Sequence, residues 1–315
     1  MTEPSYDIIC MGMALIDSIL KGYDPRPVSA TGYRAGSCTL NIGGEAVNAA
    51  MAASKLGMRT AICCALGADP AGDMIVRALE QTGVDCSRVL RPGEHSTPVT
   101  TMFVNEDGSR RSITTQAHRY NFHPEENERL FTDAGALLLG SLFRAPFDDP
   151  ESLYQVLQAA KDAGQMVFAD TKLPNFRVLK LEDLRESLPL MDYITPNEDE
   201  ARYYTGKETP EDMAEVFLDL GVKNVLIKLG AKGCYFRNRE KTIKLPACNI
   251  RAVDATGAGD NLLAGFASEL LRGASIEDAL EFANACGGIC TTAVGAGTAL
   301  INREQVLAFL GRSIH

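Results

Sequence analysis

The sequence predicts an α/β fold with a mainly parallel central sheet, helices on both faces of that sheet, and a small inserted β lid. Three observations predict this fold: apolar segments of strand length recur along the chain, helical segments lie between them, and two early stretches interrupt the alternation. Strands that alternate with helices pair in parallel, and ligands bind beyond the carboxyl ends of such strands. We therefore expect the functional residues in the loops that follow the strands.

The strand-like segments are short and rich in aliphatic residues, as the buried strands of a parallel sheet are. They span residues 6–12, 59–67, 136–141, 165–170, 192–196 and 224–230. The segments between them repeat apolar residues with helical spacing, and several end in a glycine that is typical of a helix C-terminus. Clear examples are residues 48–57, 150–164 and 210–221.

Two stretches near the front of the chain predict the lid. Residues 24–42 are rich in Gly, Pro and Ser, and residues 97–115 have the pattern of two strands around a turn at residues 106–108. Long insertions in compact domains are often functional, so we expect a lid over the ligand site formed by about 18–42 and 97–117. The alternative is a pair of surface hairpins with no ligand role.

Composition and charge exclude several classes of function. The chain has 315 residues, 45% of them hydrophobic, which is enough for the core of a single domain spanning 1–315. A net charge of −10 at neutral pH opposes nonspecific binding to nucleic acid or to an anionic membrane. The nine cysteines include no C-x-x-C pair, so neither disulfides nor a zinc site is predicted. No apolar run approaches roughly 18 residues and the first residues lack a basic segment, so we expect a cytoplasmic protein.

The segment DATGAGDN, residues 254–261, precedes an apolar helical run. Gly257, Ala258 and Gly259 fall at the start of that helix, where backbone N–H groups have no intrahelical partner and the helix dipole attracts anions. The same dipole should keep Asp260 ionised and ready to accept a proton. A carboxylate beside an anion hole suits phosphoryl transfer to an alcohol, and the alternative is a glycine turn with an Asp cap.

The segment NIGGEAVNAA, residues 41–50, places Gly43 and Gly44 before Asn48 at the start of another helix. A close backbone and a bifunctional amide at that point suit a hydroxyl-rich ligand. Asp17 follows the first strand, where it could accept bonds from two sugar hydroxyls. The alternatives are a glycine turn with an Asn cap, and a solvated loop aspartate.

Two later segments suit a nucleotide. In PNEDE, Asn197 and Glu200 share one helix face and could hold Mg²⁺ through water. In KLGAKG, Lys228 could reach phosphate, while Gly230 and Gly233 allow a nucleotide to lie flat. The alternatives are an Asn cap with an N-terminal Glu in the first segment, and a plain hairpin turn in the second.

Together these segments resemble the PfkB family of carbohydrate kinases, which have the ribokinase-like fold. GGEAVNAA resembles the N-terminal signature of the family, DATGAGDN its C-terminal signature, PNEDE its N-x-x-E element, and KLGAKG its glycine turn on the nucleotide side. The resemblance covers nearly the whole chain in the expected order and is strongest to a branch of bacterial sugar kinases of poorly defined substrate. It implies an ATP- and Mg²⁺-dependent kinase that phosphorylates a hydroxyl of a small sugar or sugar acid.

The resemblance also implies a role for each motif residue. The catalytic base would be Asp260, with an anion hole formed by Gly257, Ala258 and Gly259. The sugar would be bound by Asp17, Gly43, Gly44 and Asn48. Mg²⁺ and phosphate would be ordered by Asn197 and Glu200, and ATP would lie along Lys228, Gly230, Gly233 and Asn284. A monovalent cation such as K⁺, bound by some relatives, would lie at Asp254, Thr256 and Gly295.

Three positions depart from the family pattern without removing a reacting group. Ala255 replaces the usual Thr, Leu262 stands where Phe is frequent, and Lys228 takes a place often held by Thr or Ser. These departures affect the phosphate contacts and leave the reaction type unchanged. The segment FADTKLPNF lacks the D-P-N pattern of many relatives, so we expect Asp170 and Lys172 to shape substrate specificity.

Two other functions stay open at the level of sequence. A nucleoside kinase of the same fold would need an aromatic platform near the lid, where Phe103 and Tyr120 are the aromatic residues. A catalytically silent sugar sensor would keep the pocket without turnover. A nicotinamide dehydrogenase and a P-loop enzyme are disfavoured because neither G-x-G-x-x-G after the first strand nor G-x-x-x-x-G-K-[ST] occurs.

The predicted lid could also contact the substrate or a second copy of the protein. Its basic residues could meet an anionic substrate, although a charge run on an exposed hairpin is more simply explained as solvated; they are Arg110, Arg111, His118 and Arg119. The β edges of the lid could pair with a second copy, so a homodimer through the lid is a further prediction. The expected partners are a small sugar and ATP, with neither nucleic acid nor membrane.

Overall fold

The computed structural model describes residues 4–29, 32–105, 109–115 and 122–312. Its strands, in chain order, are β1 (Tyr6–Met11), β2 (Leu15–Lys21), β3 (Asp24–Ser29), β4 (Gly32–Arg34), β5 (Ser37–Gly43), β6 (Thr60–Ala65), β7 (Val89–Leu90), β8 (Val99–Val104), β9 (Arg110–Thr114), β10 (Ala134–Leu142), β11 (Met166–Thr171), β12 (Tyr193–Ile194), β13 (Asn224–Lys228), β14 (Cys234–Arg237) and β15 (Thr242–Leu245). The predicted turn at residues 106–108, the lid residues 116–117, and His118, Arg119 and Tyr120 lie outside the described residues.

The central sheet has nine strands in the order β15-β14-β13-β12-β11-β10-β1-β6-β7. All pairs from β13 to β7 are parallel, whereas β14 and β15 extend the sheet as antiparallel strands. The chain passes from β1 to β6 on one side and later returns to pair β10 with β1 on the other side. Such a reversal of winding opens a crevice beyond the carboxyl ends of the two strands.

The helices, in chain order, are α1 (Glu45–Lys55), α2 (Pro70–Gln81), α3 (Pro150–Asp162), α4 (Glu198–Thr205), α5 (Pro210–Asp219), α6 (Ala258–Leu271), α7 (Ile276–Cys290) and α8 (Arg303–Phe309). Short polar side chains fix the start of most of them by accepting a hydrogen bond from a first-turn N–H; these residues are Asp69, Asp149, Asn197, Thr209, Ser275 and Asn302. In the described part of the chain, none of the helices combines the length and hydropathy that crossing a membrane requires.

Hydrophobic residues on the two faces of the central sheet form two separate clusters. In β1, Ile8 and Cys10 belong to the cluster that contains the buried faces of α1, α6 and α7, while Ile9 and Met11 belong to the cluster with α3 and α5. Successive side chains of a strand point to opposite faces, so this alternation requires helices on both sides. The predicted α/β fold with a mainly parallel sheet is confirmed.

A second sheet forms from the segments that predict the lid, with the strand order β5-β2-β8-β9. Strand β2 pairs in parallel with β8, and the two outer pairs are antiparallel. Asp17 lies within β2, so its alternative interpretation as a loop residue is wrong. The short β3–β4 pair forms a separate ribbon.

Candidate active site

The candidate active site is a cleft of about 310 Å³ bordered by the lid sheet, the carboxyl edge of the central sheet and the first turns of α1 and α6. Its polar lining comes from Asp17, Thr100, Ser112, Thr114, Glu45, Asn48, Arg144, Lys172, Asn175, Thr256, Gly257 and Asp260. Two segments far apart in sequence, residues 41–50 and 254–261, therefore contribute to one cleft. This convergence follows from the packing of α1 against α6.

Asp260 lies in the first turn of α6 with only 7% of its surface exposed. Its Oδ2 accepts a hydrogen bond of 2.7 Å from the side-chain amide of Asn48. Burial raises the pKa of Asp260 to about 6, although the ammonium of Lys172 opposes that rise. Burial thus acts against the helix dipole, and with a pKa of about 6 the carboxyl is largely ionised at neutral pH and exchanges its proton just below it.

Gly257 is the N-cap of α6 and has a φ of 75°, in the left-handed region. A Cβ at this position would lie 2.2 Å from the Cβ of Ala296, so both conformation and space require glycine. The side-chain amide of Asn261 donates to the carbonyls of Gly257 and Ala296 at 2.8 and 2.9 Å. Hydrogen bonds of Asn261 thus connect the turn before α6 to the loop that follows α7.

The backbone N–H groups at the start of α6 are only partly engaged. The N–H of Ala258 donates to the carbonyl of Ala255 at 3.2 Å. Among the described residues, no acceptor contacts the N–H groups of Gly257, Gly259 and Asp260, which we call the open amides. Of the three amides predicted for the anion hole, that of Ala258 is therefore engaged by Ala255, while Asp260 carries a further open amide.

Lys228 ends β13 beside these open amides, and its Nζ would lie 3.1 Å from a Cβ added at Gly259. The ammonium is paired with Oδ1 of Asp170, which also accepts a hydrogen bond of 2.8 Å from Thr195. Asp170 is 1% exposed, and within the described part of the chain its Oδ2 has no hydrogen-bond partner. A buried carboxylate thus fixes a cation next to the predicted phosphate site.

Asn197 and Glu200 form the capping box that is the simpler alternative for this segment. Oδ1 of Asn197 accepts from the N–H of Glu200 at 2.9 Å, and Oε2 of Glu200 accepts from the N–H of Asn197 at 3.0 Å and from Thr171 at 2.8 Å. Burial raises the pKa of Glu200, and the neighbouring Asp170 adds to the rise, against the opposing effect of Lys228. Among the described residues, no three acidic, His or Cys side chains come together as a set of direct metal ligands.

The other residues predicted to border the nucleotide lie outside the cleft that contains Asp260. Gly233 has a φ of 96°, and a Cβ there would lie 2.0 Å from the carbonyl oxygen of Leu245. Pro246 follows Leu245 in the chain, and its carbonyl accepts a hydrogen bond of 2.8 Å from the side-chain amide of Asn284. Gly233 and Asn284 therefore lie against the same segment, residues 245–246, whereas Gly230 is exposed in the turn that follows β13.

The three residues predicted for a monovalent cation are joined by one carboxylate. Oδ1 of Asp254 accepts from the backbone N–H and the hydroxyl of Thr256 at 3.0 and 2.7 Å. Its Oδ2 accepts from the N–H of Gly295 at 2.9 Å. Asp254 thus links the loop before α6 to the loop after α7.

The inner face of the lid sheet is polar. Asp17, Thr100 and Thr114 are paired across β2, β8 and β9, and the hydroxyls of the two threonines lie 3.0 Å apart. A Cβ at Gly43 would lie 2.6 Å from Oδ2 of Asp17, so the glycine makes room for this carboxylate. Burial raises the pKa of Asp17, and the charge of Glu45 adds to the rise.

Two charged residues of the cleft, Glu45 and Arg144, have no role predicted from the sequence. Glu45 lies inside the GGEAVNAA segment; its Oε2 accepts from Ser141 at 2.6 Å, and its Oε1 lies 3.4 Å from Nζ of Lys172. Arg144 lies just beyond β10, in a segment without a recognisable motif. Both could have been proposed from the sequence, since Glu45 begins a helix at the site and Arg144 follows the carboxyl end of a buried strand.

Transfer of a phosphoryl group to a hydroxyl needs a base for the alcohol proton and fixed positive dipoles or charges for the phosphoryl oxygens. A buried carboxylate with a raised pKa, beside open amides and a fixed ammonium, suits both needs at the carboxyl edge of a parallel sheet. The fold and the site define the class of α/β phosphotransferases that act on small alcohols.

A protein-family model described as pfkB family carbohydrate kinase matches residues 6–303, so the chain belongs to this family and is a sugar kinase. Ribokinase from Haemophilus influenzae is 30% identical over 278 residues, which are 85% of this chain and 87% of that protein. The 2-dehydro-3-deoxygluconokinase of Bacillus subtilis is 28% identical over 298 residues, which are 87% of this chain and 88% of that protein.

Solved structures show the same architecture. The structure of Arabidopsis thaliana ribokinase complexed with ribose and ATP matches with a TM-score of 0.87 and 29% identity, covering 99% of this chain and 100% of that one. Thermotoga maritima ribokinase matches with a TM-score of 0.81 and 28% identity, covering 98% and 100%. The ribokinase-like fold is confirmed.

Proposed function

We propose that this protein transfers the γ-phosphoryl group of ATP to a hydroxyl of a small sugar or sugar acid, with Asp260 as the base. The observation that carries the proposal is the hydrogen bond from Asn48 to Oδ2 of Asp260, next to the open amides. This bond fixes the carboxylate, and among the described residues no donor reaches Oδ1. That oxygen is therefore available to orient the acceptor hydroxyl and take its proton.

The other residues of the site bind the phosphoryl group, the sugar or the nucleotide. The open amides stabilise the charge of the phosphoryl group as it moves, and Lys228 adds a full positive charge beside them. Asp17 and Asn48 bind hydroxyls of the sugar from the lid and from α1. The lid sheet covers the cleft and excludes water, so ATP hydrolysis is slow without an acceptor.

ATP and Mg²⁺ are proposed as the donor and its ion. The ribokinase of Arabidopsis thaliana that shares 29% of its residues with this chain is complexed with ribose and ATP. The unpartnered, buried Oδ2 of Asp170 and the carboxylate of Glu200 supply the oxygen donors that hydrated Mg²⁺ prefers. The ion would neutralise charge on the phosphates, while Gly233 and Asn284 border the nucleotide.

The lining of the cleft favours a sugar over a nucleoside. Its described residues include no aromatic side chain on which a base could stack. Phe103 packs against Tyr23 instead, with ring centroids 5.0 Å apart. A silent sugar sensor is disfavoured because it would not need a base with a pKa near neutrality.

A coupled assay for ADP release tests the proposal. Pentoses, hexoses, sugar acids, sugar phosphates and nucleosides are offered with ATP and Mg²⁺, and we expect release with at least one sugar or sugar acid. The Asp260→Asn variant should release almost no ADP with that acceptor. Absence of turnover with every acceptor, or full turnover by the variant, would refute the proposed function.

A monovalent cation near Asp254, Thr256 and Gly295 is proposed separately. Comparing rates in potassium and in tetramethylammonium salts tests it, and identical rates would discard it. A homodimer through the lid is supported by two exposed apolar residues on its outer face, Leu40 and Ile113, which are 56% and 67% exposed. Sedimentation of the wild type and of a Leu40→Glu, Ile113→Glu variant tests it, and a wild-type monomer would exclude it.

A further inference from the structure

Arg144 presents an unused guanidinium fork to the cleft that contains Asp260. Its Nε donates to the carbonyl of Leu173 at 2.7 Å, and this bond fixes the orientation of the guanidinium plane. Within the described residues, no carboxylate or other acceptor contacts its two terminal nitrogens. Two parallel N–H donors in this geometry match the two oxygens of a carboxylate.

The backbone that leads to Arg144 is strained. Ser141 and Phe143 have φ values of 66° and 73°, in the left-handed region that non-glycine residues rarely adopt. Strain of this kind persists only where the surrounding structure holds it, and such residues cluster at functional sites. Phe143 is held by burial and by stacking on Tyr204, with ring centroids 3.8 Å apart. The turn directs Ser141 to Glu45 and delivers Arg144 to the cleft.

The positive charges at this end of β10 and β11 come from Arg144 and Lys172. Burial raises the pKa of Glu45, but Lys172, the hydrogen bond from Ser141 and Arg144 together hold it below its usual value, so Glu45 is ionised. Lys172 also interacts with the charge of Asp260, whereas the terminal nitrogens of Arg144 contact no carboxylate among the described residues. Because Asp17 and Asp260 line the same cleft, a ligand carboxylate with one negative charge is repelled less than a phosphate monoester with about −1.5 to −2 charges.

From the fork, the strained turn and the two neighbouring cations, we infer that the acceptor is a sugar acid whose carboxylate is bound by Arg144, with Lys172 beside it. This inference rests on the proposed kinase function and narrows its substrate class. A cleft of about 310 Å³ is at the small end of ligand sites and fits one monosaccharide acid. Arg144 is then the residue that determines specificity for the acid.

The test compares kcat/KM for sugar acids, for the matched neutral sugars and for sugar phosphates, measured by ADP release. It uses the wild type, Arg144→Met, Arg144→Lys and the control Arg177→Met, which removes a half-exposed arginine paired with Asp149 outside the cleft. We expect the wild type to prefer the acid. Because a hydrogen-bonded charged group contributes about 1.5–3 kcal/mol, Arg144→Met should lower the ratio of acid to neutral kcat/KM by about 10- to 150-fold, mainly through KM. The ratio for Arg144→Lys should lie between those of the wild type and Arg144→Met, and Arg177→Met should keep the wild-type ratio.

Several outcomes would overturn the inference and leave the kinase function standing: a wild type that prefers neutral sugars or sugar phosphates, or an Arg144→Met variant that loses both activities equally and keeps the ratio. Thermal melting of each variant identifies a folding defect. If Arg144→Met does not fold, the wild-type preference and the Arg144→Lys ratio decide. A wild type that releases no ADP with any acceptor refutes the proposed function instead.

Discussion

The side-chain amide of Asn48 donates to Oδ2 of Asp260 at 2.7 Å, across 212 positions of the sequence. This bond connects the first turn of α1 to the first turn of α6 and so joins the predicted sugar-binding segment to the predicted catalytic segment. It restrains one oxygen of the carboxylate and leaves the other for the acceptor. The same two helix starts carry Glu45 and the open amides, so most of the site depends on how α1 and α6 pack.

Replacing Asp260 by Asn should abolish most of the turnover. The amide cannot accept the alcohol proton, and general base catalysis is worth about 10²- to 10⁴-fold, so kcat should fall by that factor while ATP affinity is kept. Steady-state kinetics and nucleotide titration measure the two quantities. Asp219→Asn, which removes a surface carboxylate paired with Arg239, serves as the control and should have wild-type kcat. A variant at 260 that keeps most of its activity would remove this residue from the mechanism.

The rate should depend on pH through Asp260. The base acts in its ionised form, and burial raises the pKa of this carboxyl from 3.8 to about 6. We therefore expect kcat/KM for the acceptor to rise as pH increases through about 6 and to level off above it, because this ratio reports the pKa values of the free enzyme. A profile measured at subsaturating acceptor and saturating ATP checks this, and a flat profile between pH 5 and 7 would contradict the assignment.

The same carboxyl should make the folded state less stable at higher pH. Its pKa is higher in the folded state than the unfolded value of 3.8, so the folded state holds the proton more tightly. That contribution is present below about pH 4 and is lost as pH rises through about 6, which amounts to roughly 3 kcal/mol for two pKa units. The difference in unfolding free energy between Asp260→Asn and wild type should therefore grow in favour of the variant from pH 4 to pH 8. A difference that does not change with pH would show that burial does not perturb this group.

Gly257→Ala should lower both stability and activity. The φ of 75° strains any L residue, and the added Cβ would lie 2.2 Å from the Cβ of Ala296. Gly273→Ala is a matched control, because its φ is 83° but no atom lies within 4 Å of an added Cβ. We expect the control to lose about 1 kcal/mol of unfolding free energy and to keep its kcat. Gly257→Ala should lose more unfolding free energy than the control and should also have a lower kcat. Denaturant unfolding and kinetics measure the pair, and equal losses would exclude the clash as a cause.

Removing one partner of the Lys228–Asp170 pair should destabilise the protein by about 3–5 kcal/mol, because an uncompensated charge is left buried. The double variant Lys228→Met, Asp170→Asn should recover much of this stability and yet bind ATP weakly, since it lacks both the cation beside the open amides and a carboxylate proposed for Mg²⁺. Unfolding curves and KM for ATP separate stability from nucleotide binding. A double variant with wild-type kinetics would show that neither Lys228 nor Asp170 has a role in binding ATP and its ion.

Local patterns were sufficient for most of the architecture. The six predicted strand segments all contain strands of the central sheet, because a buried parallel strand is apolar along its own length. Helix starts were less well defined: α1 begins at Glu45 and α6 at Ala258, a few residues before the apolar periodicity indicates. Strand β2, which carries Asp17, was missed because its LIDSILK segment lies between the first strand and the lid without clear boundaries.

The sequence by itself determined which residue types follow each strand, and therefore that a carboxylate, an amide and glycines would meet at the carboxyl edge of a parallel sheet. Only the tertiary structure decided their chemical state. Burial of Asp260 outweighs the helix dipole, the carbonyl of Ala255 engages one predicted amide, and packing brings Glu45, Lys172 and Arg144 together from three separate segments. The reason is physical: periodicity and glycine placement act over a few residues, whereas desolvation and charge pairing depend on which distant segments fold against one another.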